Sequence, residues 1–106
     1  MSVPTRSPEQ RSDALAAALA ARQERARLRG ALKDRSLTAA DVIRGAADNP
    51  VWASVRVSWL LESVPGIGCV RAERLMSDLR IAPSRRVQGL GERQRAALIA
   101  ALGERA

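Results

Sequence analysis

The chain of 106 residues has no histidine, no phenylalanine and no tyrosine, a single cysteine, Cys69, and a single lysine, Lys33. Each absence excludes something. One thiol cannot form an internal disulfide, and one thiol without any imidazole leaves no plausible zinc site, so no metal or other cofactor is expected. Without Phe and Tyr the core must come from Leu, Ile, Val, Met and Ala, which makes it modest and suits one domain. No run of about 18 apolar residues occurs, the length at which a membrane span is considered. The opening MSVPTRSPEQ is followed by no apolar segment either, so a soluble, cytoplasmic protein is the expectation. Period-two alternation and strand-sized apolar runs are also missing, which excludes a sheet and predicts an all-α protein.

What is present is positive charge. Eighteen basic residues face 11 acidic ones, a net +7, and all the basic residues but Lys33 are arginines. A G+C-rich genome explains arginine in place of lysine, but it supplies Asp and Glu as readily and so does not explain the excess. The balance points to a polyanionic partner.

Ser7-Pro8-Glu9-Gln10 has the form of a helix start, with Ser7 as cap, Pro8 in the first turn and Gln10 at the capping-box position. The helix it opens should run to about Asp34. Its large apolar residues are only Leu15, Leu19, Leu28 and Leu32, so it is expected to be poorly buried and to project. Arg11, Arg22, Arg25, Arg29 and Lys33 fall near one line on it. That line is either a solvated face or a track for a phosphate backbone.

A second helix is predicted from Thr38, with Asp41 closing a capping box and Ala39, Val42, Ile43, Ala46 and Ala47 inward, ending before Asn49-Pro50. A third, from Val51, carries Val57, Leu60, Leu61 and Val64 on one face, with Trp59 on the other side, placed to pack on the first helix or Trp52. A fourth has Ala72, Leu75, Met76 and Leu79 on its inner face. After a long connection over residues 80–91, a last helix turns Ala97, Leu98, Ala101 and Leu102 inward.

Between the third and fourth helices stands Val64-Pro65-Gly66-Ile67-Gly68-Cys69-Val70-Arg71. Two glycines allow backbone conformations and close approaches that side chains would block, and Pro65 fixes the entry angle. Ile67 can anchor the turn inward. The amides from Gly68 to Val70 then begin a helix, and free donors at a positive dipole end suit a phosphate. An ordinary turn between helices needs one glycine as a rule; two around one apolar residue are more specific.

The stretch LLESVPGIGCVRAERLM resembles a helix-hairpin-helix motif, which grips a nucleic-acid backbone without reading sequence. With SLTAADVI upstream and IAPSRRVQGLGERQ downstream, essentially the whole chain is similar to the actinobacterial type of integration host factor. The resemblance implies a long basic N-terminal helix over residues 1–34, then a compact four-helix domain of the helix-two-turn-helix class over 35–106, expected to fold without it. It implies a nucleoid-associated protein that binds double-stranded DNA with little sequence preference, bends or compacts it and assists site-specific phage integration, with an integrase complex as a further partner. No membrane partner is implied, and a monomer in solution is the expectation. The DNA-binding residues carried over are Pro65, Gly66, Ile67, Gly68, Cys69, Val70 and Arg71 in the hairpin, and Ser84, Arg85, Arg86, Gln88 and Gly89 in an arginine-rich loop. Arg22, Arg25, Arg29 and Lys33 form a second candidate surface. The chain departs from its relatives at Cys69 and Gln88, where they typically carry basic residues, and at Trp59, where a small residue is common.

Two rivals belong to other classes. A small-subunit ribosomal protein binding rRNA shares the helix-two-turn-helix class, but such proteins usually carry a Lys-rich tail. A hairpin glycosylase would need an amine nucleophile and a carboxylate in a pocket; Lys33 lies on the exposed first helix, and an enzyme is not expected. Cys69, in the first turn of a helix, is either a tolerated small side chain or a thiol stabilised as thiolate by the dipole.

Overall fold

In the computed structural model, which describes residues 8–103, six α-helices follow one another: α1 (Pro8–Lys33), α2 (Ala39–Gly45), α3 (Pro50–Ser54), α4 (Val57–Glu62), α5 (Cys69–Asp78) and α6 (Glu92–Gly103). Short 3-10 turns lie at Ala46–Asp48 and Val87–Gly89. No strand occurs among the described residues. The expected cap at Ser7 lies outside them.

Helix α1 spans 26 residues, about 39 Å at the helical rise, and it gives the molecule its long axis of 55 Å against 31 and 25 Å. Its two ends behave differently. Leu15 and Leu19 stand 71% and 53% exposed, whereas Leu28 and Leu32 are buried in the common core with Val42, Ile43, Leu60, Leu61 and Leu98. The C-terminal turns of α1 are therefore part of the domain that was expected to begin at residue 35. A stripe of Leu at positions 28 and 32 can only be buried by the elements that follow it.

Helix α2 starts as its sequence predicts. Thr38 Oγ1 accepts a hydrogen bond from the Asp41 amide at 3.1 Å, and the Asp41 carboxylate accepts one from the Thr38 amide at 3.0 Å. Both bonds satisfy donors that a helix start leaves unpaired. Ala39, Val42, Ile43 and Ala46 are buried, but Ala47 falls in the 3-10 turn and is exposed.

The single third helix expected from Val51 is two helices. Asn49 caps α3, its side-chain oxygen accepting from the amides of Val51 and Trp52. Then Val55 and Arg56 are extended, with ψ of 149° and 143°, and the compact part contains five α-helices rather than four. The cause is a pairing across the chain. The Val57 amide donates to the Arg85 carbonyl and the Val87 amide to the Val55 carbonyl, both at 3.0 Å, in an isolated antiparallel bridge of Arg56 with Arg86. A continuous helix would have no free backbone groups there to offer. The inward stripe survives the break, since Val57, Leu60 and Leu61 are all buried and Val64 is half-buried.

The connection over 80–91 is likewise no open loop. Ile81, Val87 and Leu90 are buried in the core, and Gln94 of α6 donates to the Arg80 carbonyl at 2.8 Å. In α6 Leu98 is buried while Ala97, Ala101 and Leu102 are half-buried.

Candidate nucleic-acid interface

The hairpin between α4 and α5 is built from its backbone outward. The buried Ser63 hydroxyl donates to the Trp59 carbonyl at 2.8 Å, and the Ile67 amide donates to the Val64 carbonyl at 3.2 Å. Gly66 takes a φ of +89°, the left-handed region that L side chains avoid. Ile67 is buried and holds the turn to the core, while Pro65, Gly66, Gly68, Cys69, Val70 and Arg71 are exposed.

Gly68 is the N-cap of α5 and offers no side-chain cap, so the first amides of that helix lack the oxygen partner that Thr38 and Asn49 give α2 and α3. Its φ is an ordinary −84°, and a Cβ built on it meets no atom within 4 Å. Gly68 is thus not demanded by the fold; what it provides is an unobstructed approach to the amides. Arg71 reaches back over the turn, its Nη1 donating to the Gly66 carbonyl at 3.1 Å. Bare helix-start donors beside a fixed guanidinium suit an anion with several acceptor oxygens.

The arginine-rich loop sits at the other end of α4. The bridge fixes Arg85 and Arg86 beside Val57, where α4 begins, and the hairpin starts where α4 ends; six residues of helix, about 9 Å, separate them. Arg85 Nη1 donates to the Gly89 carbonyl at 3.2 Å. A Cβ on Gly89 would stand 3.0 Å from Arg85 Cδ, so the glycine lets that side chain lie across the 3-10 turn. Arg86 Nη1 donates to the Ser54 carbonyl at the end of α3. Ser84 and Gln88 are exposed beside them. A groove of about 710 Å³ runs along α5 from Cys69 past Met76 to Pro83 and links the two ends. Glu62 and Glu73 also line it, so the groove itself is no track for phosphates.

The basic line on α1 divides. Arg22 and Lys33 face solvent, whereas Arg29 lies over the Trp59 ring and Arg25 shares a notch with Arg56, Trp59 and Arg86. The α1 line and the loop therefore meet in one basic region, and the hairpin stands apart from it. Arg56 was missed in the sequence. Its signal was the buried-exposed-buried order of Val55-Arg56-Val57, too short an alternation to be read as extended chain.

Among the described residues one ion pair occurs, Arg27 with Glu24 at 2.8 Å on the exposed face of α1. None of those residues form a group of three or more that could hold a metal ion, and no described helix is long and apolar enough to cross a membrane. The arrangement offers backbone donors and positive charge.

A family model for the S13-like H2TH domain matches residues 32–102, from the last turns of α1 through α6, which assigns the helical domain to that class. Two relatives are named integration host factor: one from Streptomyces coelicolor, 47% identical over 98 residues and 92% of each chain, and one from Mycobacterium tuberculosis, 43% identical over 103 residues, 97% of this chain and 98% of the other. A solved structure of sIHF bound to an 8 bp palindromic DNA superposes with a TM-score of 0.77 at 45% identity, covering 81% of this chain and 97% of that one. The chain belongs to the actinobacterial integration host factor family.

Proposed function

We propose that this protein is a nucleoid-associated, double-stranded DNA-binding protein of the cytoplasm. It holds the phosphate backbone with little regard to sequence and, by bending or compacting the duplex, assists site-specific phage integration. The observation that carries the reading is the α4–α5 hairpin, whose glycine N-cap leaves the α5 amides open beside Arg71. Pro65 to Arg71 form the first contact, and Ser84, Arg85, Arg86, Gln88 and Gly89 the second. Arg22, Arg25, Arg29 and Lys33 extend the second along α1. The relative solved with DNA supports the choice of duplex DNA over rRNA. Backbone amides and arginines in this arrangement position a duplex without reading its bases, and the reading requires no catalytic step. Residues 35–106 supply the compact domain and residues 1–34 the arm, with the end of the arm set into the core.

The test is fluorescence anisotropy on two unrelated duplexes across a range of salt. Both should bind with similar affinity, and affinity should fall steeply with salt. Arg85→Ala with Arg86→Ala should lower the slope of log K against log salt by roughly 1.8, two contacts at about 0.9 each. An unchanged slope removes the loop from the interface, and no binding to either duplex at low salt removes DNA as the partner.

A further inference from the structure

The notch beside Trp59 brings together arginines from α1, the extended break and the loop. It is a concavity of about 210 Å³ lined by Arg25, Ser54, Val55, Arg56, Trp59 and Arg86. Its walls come from α1, the end of α3, the extended break, α4 and the loop, and the backbone bridge at Val55–Val57 locks them together. Arg25, Arg56 and Arg86 all line it, Arg86 donating to the Ser54 carbonyl at its edge, and the guanidinium of Arg29 lies 5.3 Å from the Trp59 ring centroid. No carboxylate lines the notch, and none of these four arginines takes part in the ion pair of the described residues.

Arginines lining one concavity repel one another unless an anion lies between them, and their planar forks match phosphate oxygens. Charge density decides which phosphate. A duplex presents its phosphodiesters on a convex surface, one charge each, with a sugar on both sides. A polyphosphate tail delivers several charges consecutively from a free end, which a concave site with three or four cations can surround. The volume lies below the roughly 300–1,000 Å³ of sites that enclose a whole drug-sized ligand, so the notch receives one end of a molecule and leaves the rest outside.

We infer that this notch binds the polyphosphate tail of a free nucleotide, with Arg25, Arg56 and Arg86 on the phosphates and the Arg29–Trp59 pair as its wall. Because Arg86 also belongs to the proposed DNA-binding loop, occupation of the notch competes with duplex binding there. Only that consequence rests on the DNA reading; the site itself does not.

The experiment is a titration of the full chain, followed by the indole N–H signals of Trp59 and Trp52 in nuclear magnetic resonance and by calorimetry. The probes are inorganic tripolyphosphate, adenosine triphosphate, inorganic phosphate and a short duplex with and without 5′-phosphates. Tripolyphosphate and adenosine triphosphate should each bind once, shift Trp59 more than Trp52, and bind at least tenfold more tightly than inorganic phosphate. Arg56→Ala and Arg25→Ala, both changes of polar side chains outside the core, should each weaken tripolyphosphate at least tenfold, and Arg74→Ala on the exposed face of α5 should not. Equal loss in all three variants would mean unspecific attraction to a basic protein and would overturn the site. A Trp59 shift produced by the duplex but not by tripolyphosphate would overturn it in favour of DNA, by its ends if only the 5′-phosphorylated duplex acts. Duplex binding that survives while tripolyphosphate fails leaves the DNA reading standing and removes this one.

Discussion

The guanidinium of Arg29 lies over the indole of Trp59, 5.3 Å from its centroid, so a charged side chain of α1 closes on the one aromatic of α4. The contact sits between Leu28 and Leu32 in sequence and fixes the rotation of α1 where its core contacts begin. A cation on an indole contributes about 0.5–2 kcal/mol, depending on desolvation. Arg29→Ala should lower stability by about 1 kcal/mol, seen in thermal unfolding, and speed amide exchange in the turns of α1 before Arg25. Unchanged exchange would show that the leucines alone hold the helix.

Truncation separates the two ends of α1. Leu28 and Leu32 are 2% and 1% exposed, and removing a buried leucine side chain costs about 2–5 kcal/mol against a total stability of about 5–15 kcal/mol. Deleting residues 1–34 should therefore abolish the cooperative thermal transition. Deleting residues 1–20, which keeps both leucines and Arg29, should preserve it. Circular dichroism melts of the two forms decide, and a parent-like melt for the longer deletion would contradict the packing.

The two hairpin glycines should respond in opposite ways. Gly66 holds a φ of +89°, so Gly66→Ala strains the backbone by about 1–2 kcal/mol and lowers the melting temperature. Gly68 has an ordinary φ and open space around it, so Gly68→Val should leave the melting temperature nearly unchanged while weakening duplex binding several-fold by anisotropy. A folded Gly68→Val protein with parent affinity would take the hairpin out of the interface.

The α2 cap gives a pH signature. The Thr38 amide and then its hydroxyl group hold the Asp41 carboxyl below its ordinary range. A carboxylate with a lowered folded pKa stabilises above its unfolded value, and the contribution disappears as pH falls through the folded one. Asp41→Asn should therefore be less stable than the parent at neutral pH and equal to it in strong acid. Thr38→Ala should cost about 1 kcal/mol at neutral pH. Chemical denaturation at both pH values measures the two.

Features encoded within a few residues were legible. The Thr38–Asp41 box, the inward Leu60, Leu61, Ala72 and Met76, and the glycine turn all depend on neighbours in sequence, and each stands in the structure. The break at Val55 and Arg56 was not legible, because its partners are Arg85 and Val87, and only the folded chain brings them together. The ends of α1 and α5, read at about Asp34 and Leu79, fall at Lys33 and Asp78, legible from the loss of the apolar stripe although no glycine marks them. Their left-handed residues are Arg35 and Arg80, where a glycine would have announced the turn. The hairpin could be read in advance; the meeting of Arg25 and Arg56 with Arg86 could not.

With a formal +7 on the full chain and Arg27–Glu24 the one ion pair among the described residues, the folded chain gathers Arg25, Arg56 and Arg86 with little internal neutralisation. Dissolved counterions must supply what carboxylates do not, and their reach shortens to about 10 Å at 0.1 M salt. Added electrolyte therefore acts in two directions from one cause. It quiets the self-repulsion of the compact chain and firms the fold, while it weakens the hold on any polyanion. The conditions under which this protein is sturdiest alone are those in which it grips least.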